Sequence, residues 1–328
     1  MALRTDKAVE VFSALHLNQI KESEIEVLEA RSAIKELAKN PSPNNRYEIS
    51  QLLAFVVNNI INTNTNYIDL FADTKRVGIG EKALFKVKKA GIEAFVQAKN
   101  GTTQRSRIMN AYQTVDTVEV SARPYVNLYE LASGKVNFDE CITDASNEME
   151  RKIVALIEAT LYASFSGYSS PNYASGSGIV TATLDPMIRS MQRYGNVALL
   201  GDINIVSKLA EATGFTTYTS TKMFSNSIMD EFNKNGYIGA YKGASVSKLD
   251  NPFLRGSNTT PVLRQDLLYI VPQGAESPLK VVMEGDVESM DATNINDNTM
   301  EVNLRKYFGT AVIFGDNAYL GVYEDTAL

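Results

Sequence analysis

The longest regular stretch of this sequence is FDECITDASNEMERKIVALIEATLYASF, residues 138–165. Phe138, Ile142, Ala145, Met149, Ile153, Leu156 and Thr160 recur at spacings of three and four, and Leu161 and Phe165 extend the same face. Asp139, Asp144, Glu148, Arg151 and Lys152 fall elsewhere. The pattern predicts one helix with a single buried side, about 40 Å long at 1.5 Å per residue, enough to serve as the spine of a domain. Asn137 followed by Glu140 reads as a capping box, the asparagine accepting an orphan backbone N–H and the glutamate reaching back. The expected stop is Gly167, where an αL cap is available and Ser/Gly-rich sequence begins.

Upstream, residues 114–131 alternate with period two, Val115, Thr117, Glu119 and Ser121 against Asp116, Val118, Val120 and Ala122, with a bend or edge at Pro124. Before them Lys75, Arg76, Lys82, Lys86, Lys88, Lys89, Lys99, Arg105 and Arg107 interleave with Val77, Ile79, Leu84, Phe85, Val87, Phe95 and Val96. The alternation about Phe85 and Val87 predicts a two-stranded ribbon with too little apolar material to stand alone. Such a ribbon is expected to lie against another subunit or an acidic partner. Residues 47–61 form an apolar helix, 62–66 read as extended or turn-like, and 67–71 as a short strand. Residues 20–38 predict a charged helix with Ile20, Val27, Leu28, Ile34 and Leu37 on one side. Pro41 and Pro43 end it, Asn44 and Asn45 complete a linker, and residues 1–10 are polar enough to be a mobile arm.

Downstream, residues 167–178 read as a loop, 184–191 as a helix, 197–200 as a buried strand, 201–213 as a helix begun by Asp202, and 224–232 as a short helix. Strands are expected at 237–241, 244–249, 267–271 and 279–284, with turns at Asn251-Pro252 and Ser277-Pro278. Met300, Val302 and Leu304 alternate with Glu301, Asn303 and Arg305. Residues 311–314 and 318–323 follow as strands, and Gly315-Asp316-Asn317 reads as a hairpin turn between them. The fold class is therefore α+β, with antiparallel pairing expected over a wound parallel sheet because no β-α repeat recurs at constant spacing.

The 328 residues, 44% hydrophobic and 21% charged, predict a folded chain of ordinary composition. A formal charge of -6 argues against a nucleic-acid binder that works through a large basic surface. The first twenty residues carry Arg4, Asp6, Lys7 and Glu10, so no signal peptide is visible, and no apolar run approaches a membrane span. A soluble protein of a reducing compartment is the expectation, since the single cysteine, Cys141, has no intrachain partner. With one histidine, His16, neither a histidine-based metal site nor a Ser-His-Asp arrangement can be built within one chain. Gly78-Ile79-Gly80 lacks the remaining residues of a dinucleotide or phosphate loop and reads as a ribbon turn. Residues 291–301 fail as a calcium loop, with Asn296 at the glycine position and Val302 at that of the bidentate glutamate. No cofactor is expected. What remains is an arm, a basic ribbon without its own core, and a spine helix, all devices for contacting neighbours.

In this order the elements resemble the major capsid proteins of tailed bacteriophages, the family that also includes encapsulin shells. The likeness runs from about Asn44 to Leu328 and rests on residues 77–107 as an extended loop, 138–165 as the spine helix and 183–214 as entry to an axial domain. It rests also on Ser277-Pro278-Leu279-Lys280-Val281-Val282 and on Glu301 through Gly309 as closing strands. The resemblance implies an N-terminal arm (1–45), the start of a peripheral domain (46–76), an extended loop (77–113), a peripheral domain with spine helix (114–182), an axial domain (183–298) and return strands (299–328). It implies no catalytic, cofactor or metal site, and self-assembly into the hexamers and pentamers of an icosahedral viral head. Lys82, Lys86, Lys88, Lys89, Arg105 and Arg107 are then the inter-subunit contact candidates. Separate scaffolding and portal proteins, a decoration protein, and enclosed double-stranded DNA held by weak non-specific contact are the implied partners, with no membrane. The subunit would belong to the virion and assemble in the bacterial host cytoplasm. Some relatives crosslink neighbouring subunits through a lysine and an asparagine; Lys82, Lys86, Lys88 or Lys89 and Asn294, Asn296 or Asn298 are the candidates, none matched to a motif. An encapsulin-type compartment is the alternative, and an oligomeric enzyme of unknown substrate a further one.

Overall fold

The computed structural model describes residues 5–16, 19–21, 24–64, 72–92, 105–212, 226–274, 276–294, 299–314 and 317–328. The chain begins with helices α1 (Thr5–His16), α2 (Ile25–Lys39) and α3 (Pro43–Asn64). Strands β1 (Ala72–Val77), β2 (Leu84–Ala90), β3 (Met109–Thr114), β4 (Val118–Ala122) and β5 (Tyr125–Asn127) follow, then the short helix α4 (Leu128–Ser133) and the spine helix α5 (Phe138–Phe165). Next come β6 (Tyr173–Gly176), α6 (Thr181–Gln192), β7 (Val197–Gly201), α7 (Ile203–Ala212), α8 (Asn226–Asn235), β8 (Ala240–Tyr241) and β9 (Ala244–Lys248). The chain closes with β10 (Leu267–Pro272), β11 (Leu279–Asn294), β12 (Thr299–Val312) and β13 (Gly321–Asp325). No described helix is long and apolar enough to cross a membrane.

Helix α5 has the bounds that its periodicity predicts, and Phe138, Ile142, Ala145, Met149, Ile153, Leu161 and Phe165 are buried as expected. Ile157 is buried in place of Leu156 and Thr160, because the stripe of an α-helix drifts round the axis over so many turns. The cap differs from expectation. Asn137 makes no side-chain bond to the helix backbone; its Nδ2 donates instead to Glu140 Oε1 at 3.2 Å. The C-cap is Ser166 in the right-handed region, so Gly167 is not used as a left-handed stop.

The described part of the expected mobile arm is a packed helix. Ala8, Val11 and Phe12 are buried, and Phe12 meets Phe138 edge-on at 6.0 Å between centroids. His16 Nδ1 lies 3.3 Å from Thr143 Oγ1, and Arg31 donates to Asp139 at 2.6 Å, so α1 and α2 are both fastened to the spine helix. Helix α2 starts five residues later than residues 20–38 suggested and buries Val27, Ala30, Ile34 and Ala38, leaving Leu28 exposed. The expected linker at 41–45 is the start of α3: Ser42 Oγ accepts the Asn45 N–H at 3.2 Å, and Pro43 occupies the first helical position, where its missing N–H costs nothing. An arm boundary at residue 45 therefore falls inside a helix. Helix α3 also continues through Asn62–Asn64, expected to be extended; residues 65–71, including the expected strand, lie outside the described residues.

Two larger sheets carry the body. The first has the order β1-β11-β12-β4, with β5 also on β12. Its centre is the β11–β12 hairpin, paired from Leu279↔Val312 to Asn294↔Thr299, so a division at 298/299 cuts one continuous unit. The second has the order β6-β13-β10-β7-β9-β8. Pairing is mixed, since β1–β11, β6–β13 and β7–β9 are parallel. Residues 128–131, expected to continue a strand, form α4, and residues 173–176 of the expected loop form β6. Among the described residues β12 and β13 do not pair as the expected final hairpin: β12 belongs to the first sheet and β13 pairs with β10 and β6 in the second, while Gly315 and Asp316 of the expected turn lie outside the described residues. Strand β10 explains this exchange. All its residues are buried; Leu267, Tyr269 and Val271 join the spine-helix core while Leu268 and Ile270 join a second core with Leu184, Ile188, Ile205 and Leu209 of α6 and α7. A strand covered on both faces needs a neighbour on each edge, and β13 and β7 supply them.

A polar knot ties the spine to this second sheet. Glu158 accepts the Arg264 backbone N–H at 2.9 Å and lies 3.3 Å from the Tyr269 hydroxyl. The Arg264 guanidinium donates to Asp266 at 2.9 Å and to Glu324 at 2.6 Å, and stacks 4.1 Å from the Tyr162 ring centroid. Burial pushes the Glu158 carboxyl up to about 7, against the hydrogen bonds of Arg264 and Tyr269 and the Arg264 charge, which favour the anion. A carboxyl whose pKa rises on folding holds its proton more tightly in the folded state, so its ionisation removes stability as pH climbs from the ordinary glutamate range to about 7. Glu158→Gln, which keeps the neutral shape, is expected to gain on wild type between about pH 5 and about pH 8, by at most about 3 kcal/mol in urea unfolding. A stability difference independent of pH would return Glu158 to an ordinary pKa.

Candidate functional site: the basic ribbon

Strands β2 and β3 pair antiparallel from Leu84↔Thr114 to Ala90↔Met109 and form the ribbon that the alternation predicted. Phe85 and Val87, with Ala83 and Val115, turn inward onto Val282 of the first sheet and Ile313, just past the end of β12. This small core exists because the body lends the ribbon the apolar partners it lacks. Two cations flank Phe85: Lys75 Nζ lies 4.8 Å and Lys280 Nζ 5.8 Å from its ring centroid. Lys280 is itself buried and held by Asp73 at 3.0 Å and Glu276 at 3.3 Å. The root of the ribbon is pinned a second time by Glu284, which accepts the Gly80 N–H at 2.7 Å and the Thr117 hydroxyl at 2.6 Å. These bonds hold the Glu284 carboxyl below the usual carboxylate range. They also fix the turn 78–81, where Gly80 has a φ of 80°.

The opposite face points away from the body. Leu84, Lys86 and Lys88 on β2 stand beside Thr114, Tyr112 and Asn110 on β3, all exposed. Tyr112 is 64% and Leu84 55% exposed, which is unusual for paired strand residues and gives this face the mixed aromatic, aliphatic and basic character of a contact surface. Ile92, Ile108 and Met109 continue it toward the ribbon's far end. Lys82 and Lys89 are exposed on the same ribbon, and Arg105 and Arg107 are exposed on the segment that enters β3. Thus Lys86 and Lys88 share a face with Tyr112, while the other four candidates are spread along the ribbon. Lys99 lies outside the described residues.

Sequence reasoning missed Lys280, Glu284 and the apolar members of the outer face. Lys280 is a single lysine in an otherwise apolar run, Leu279 to Met283, where a lysine reads as solvent-facing, and the pairing of Glu284 with residues far along the chain leaves no local signal. Of the crosslink candidates, Asn294 ends β11, and Asn296 and Asn298 lie outside the described residues. The described part of 291–301 is the turn end of the β11–β12 hairpin, with Asp291 opposite Val302. The Cys141 thiol is pushed up to about 11 by burial and the nearby Asp144 charge, the opposite of an activated nucleophile. Between α5 and the second sheet lies a groove of about 1080 Å³, bordered by Val154, Ile157, Leu161, Val262 and Leu263, with Glu158 in its wall.

Residues 2–324 match the family model described as "SPbeta prophage-derived putative capsid protein YonB". No curated protein matches the chain. Among solved structures, the chain is similar to the mature capsid of bacteriophage PhiM1, at a TM-score of 0.51 and 8% identity over 79% of this chain and 86% of that one. It is similar to a chain of Microbacterium phage Oxtober96 at a TM-score of 0.52 and 12% identity, covering 77% of this chain and 89% of that one. For Mycobacterium phage Che8 the values are 0.51 and 13%, covering 76% and 86%. Identities this low speak for the fold alone, an α+β fold with mixed sheets shared with the PhiM1 capsid chain and the two other phage chains. The match over nearly all of its length places the chain: it belongs to the YonB family.

Proposed function

We propose that this chain is the major shell subunit of a tailed double-stranded DNA bacteriophage or prophage, assembling with copies of itself into hexamers and pentamers of an icosahedral head. The observation that carries the reading is the ribbon: rooted on the body by a buried lysine and a bonded glutamate, it turns a basic, aromatic face outward. A fixed root with an open outer face suits a surface whose partner is another subunit. The family match, and the fold shared with the PhiM1 capsid chain and two other phage chains, support the same reading. The role is mechanical and not enzymatic: each subunit is held by area distributed over several neighbours. The first half of α5 is acidic; its exposed Asp144 and Glu148 pair within the chain with Arg255 and Arg151, pairs that the ribbon of a neighbour would share. Separate scaffolding and portal proteins, a decoration protein and weakly held DNA complete the proposed assembly, formed in the host cytoplasm and ending in the virion. A net charge of -6 suits an inner wall that encloses DNA without gripping it.

Reversing charge on the outer face tests the reading. Lys86→Glu with Lys88→Glu is expected to leave the isolated subunit folded and to lower the yield of closed particles by more than about tenfold. Each reversal turns an attraction of about 1 kcal/mol into a repulsion of similar size. Electron microscopy and sedimentation read the outcome; normal particles from the double variant would remove the ribbon from the interface. Closed particles without DNA or portal in the native host would favour the compartment alternative, and a discrete small oligomer under every condition an enzyme. The ribbon's root is tested separately. Because the Glu284 carboxyl is held below its ordinary range, its anchorage is full at neutral pH and is lost as pH falls through that lowered value. Glu284→Gln is expected to raise hydrogen exchange at Gly80 at neutral pH and to reduce its response to acid; unchanged exchange would show that the turn is held by other contacts.

A further inference from the structure

Lysine 306 of β12 is 2% exposed, and its amine is surrounded by groups that do more than solvate it. The Lys306 Nζ lies 3.2 Å from Asn58 Oδ1 on α3 and donates to the Gly285 carbonyl at 2.6 Å. Asn58 is engaged on every side: its Oδ1 also accepts the Val287 backbone N–H at 3.2 Å, and its Nδ2 donates to Asp286 Oδ1 at 2.9 Å. The arrangement is made by an irregularity of β11. The β11–β12 register shifts between Glu284 and Glu288, and Gly285 takes a φ of 61°. A side chain at Gly285 would also collide with Ile79, since an added Cβ would stand 2.4 Å from Ile79 Cγ1. The bulge aims three consecutive residues, Gly285, Asp286 and Val287, at one lysine and one carboxamide.

We propose that Lys306 and Asn58 are joined by an isopeptide bond within the chain, formed by the folded protein with Asp286 as proton carrier. The parts of an acyl transfer are all present. Lys306 is the nucleophile; burial lowers its pKa, as does the Arg76 charge, while the Asp286 charge opposes them, and the net direction favours the neutral amine. The Asn58 Cγ is the electrophile. Attack by Nζ forms the new C–N bond and moves the carbonyl electron pair onto Oδ1, where the Val287 N–H stabilises the charge. The Asp286 carboxylate takes the proton released from Nζ and passes it to Nδ2, its hydrogen-bond partner. The Cγ–Nδ2 bond breaks, the electron pair on Oδ1 reforms the carbonyl, and ammonia leaves. An amine and a primary amide thereby become a secondary amide and ammonia, with no change of oxidation state and no co-reactant. The product is a covalent staple between α3 and the β11–β12 hairpin, closing a loop of most of the chain. It is internal to one subunit and independent of the ribbon.

The test is the intact mass of the purified, folded, full-length chain with time, followed by proteolytic digestion. The expected wild-type result is a loss equal to one ammonia and a branched peptide linking residues 58 and 306. Lys306→Arg is expected to keep its full mass. Asp286→Asn changes an exposed residue, so folding is not at stake, and it is expected to lose ammonia at least about 100-fold more slowly, the usual scale of a positioned proton carrier. A folded wild-type chain that retains its full mass through prolonged incubation overturns the proposal. Ammonia loss without a branched peptide, the mark of Asn58 cyclising onto its own backbone, also overturns it, as does equal reactivity of Asp286→Asn.

Discussion

The double burial of β10 is the constraint from which the rest of the architecture follows. A strand made of Leu267, Leu268, Tyr269, Ile270 and Val271 has no face to give to water, so the chain must build a layer on each side. Helix α5 supplies one, and α6 with α7 the other. The requirement reaches back through the sequence, because α5 alone cannot cover β10 and the first sheet together. The N-terminal helices are drawn in for the same reason: Phe12 closes on Phe138, and Val27, Ile34, Val56 and Ile60 fill the space behind the spine. A single core thus runs from α1 to β13.

Lysines mark the joints of this body. Lys280 sits where ribbon, β1 and β11 meet, Lys306 where α3 meets the bulge, and Lys208 where α7 meets the carboxylate of the fully buried Asp325. A buried amine is costly unless its protons find acceptors, so Lys280 and Lys306 each demand one arrangement of their neighbours and reject near alternatives. Leucines would pack these seams with comparable energy and less direction. The Arg264 knot works similarly at the spine: its guanidinium is shared by Asp266 and Glu324 while Tyr162 covers its face, so α5, β10 and β13 are set against one another by geometry as well as by burial.

The parts of this fold that were legible in the sequence are those specified by local period. Helix α5 shows its extent because its apolar residues repeat over many turns, and the ribbon shows itself because Phe85 and Val87 alternate with lysines. The N-terminal helix was hidden by composition: Arg4, Asp6 and Lys7 drew attention from Ala8, Val11 and Phe12, whose spacing of three and one is a helical face too short to stand out. The division of β12 and β13 between two sheets was illegible because partner choice is not local; a Gly-Asp-Asn turn signal predicts reversal of the chain and says nothing of which edge the next strand will find. The candidate surface was half legible. Its charges could be read, but Leu84 and Tyr112 become a surface feature only once Phe85 and Val87 have claimed the inner face.

Joint and ribbon together explain how one chain can be rigid and still adaptable in its contacts. Among the described residues the ribbon is fastened at its base, through Phe85, Lys280 and Glu284, and exposed Ile92 and Ile108 stand toward its other end. Force applied at that end is transmitted by leverage to the root, and the root is seated on β11. Strand β11 in turn is gripped at its bulge by α3, through Asn58 and Lys306. The bulge is therefore the point through which a load on the ribbon reaches the helical layer. An irregular strand segment is a weak place in a ladder, since it forgoes backbone pairing. Here the lost pairing is replaced by side-chain bonds from two other elements, so the weakest part of the hairpin becomes the one held from most directions.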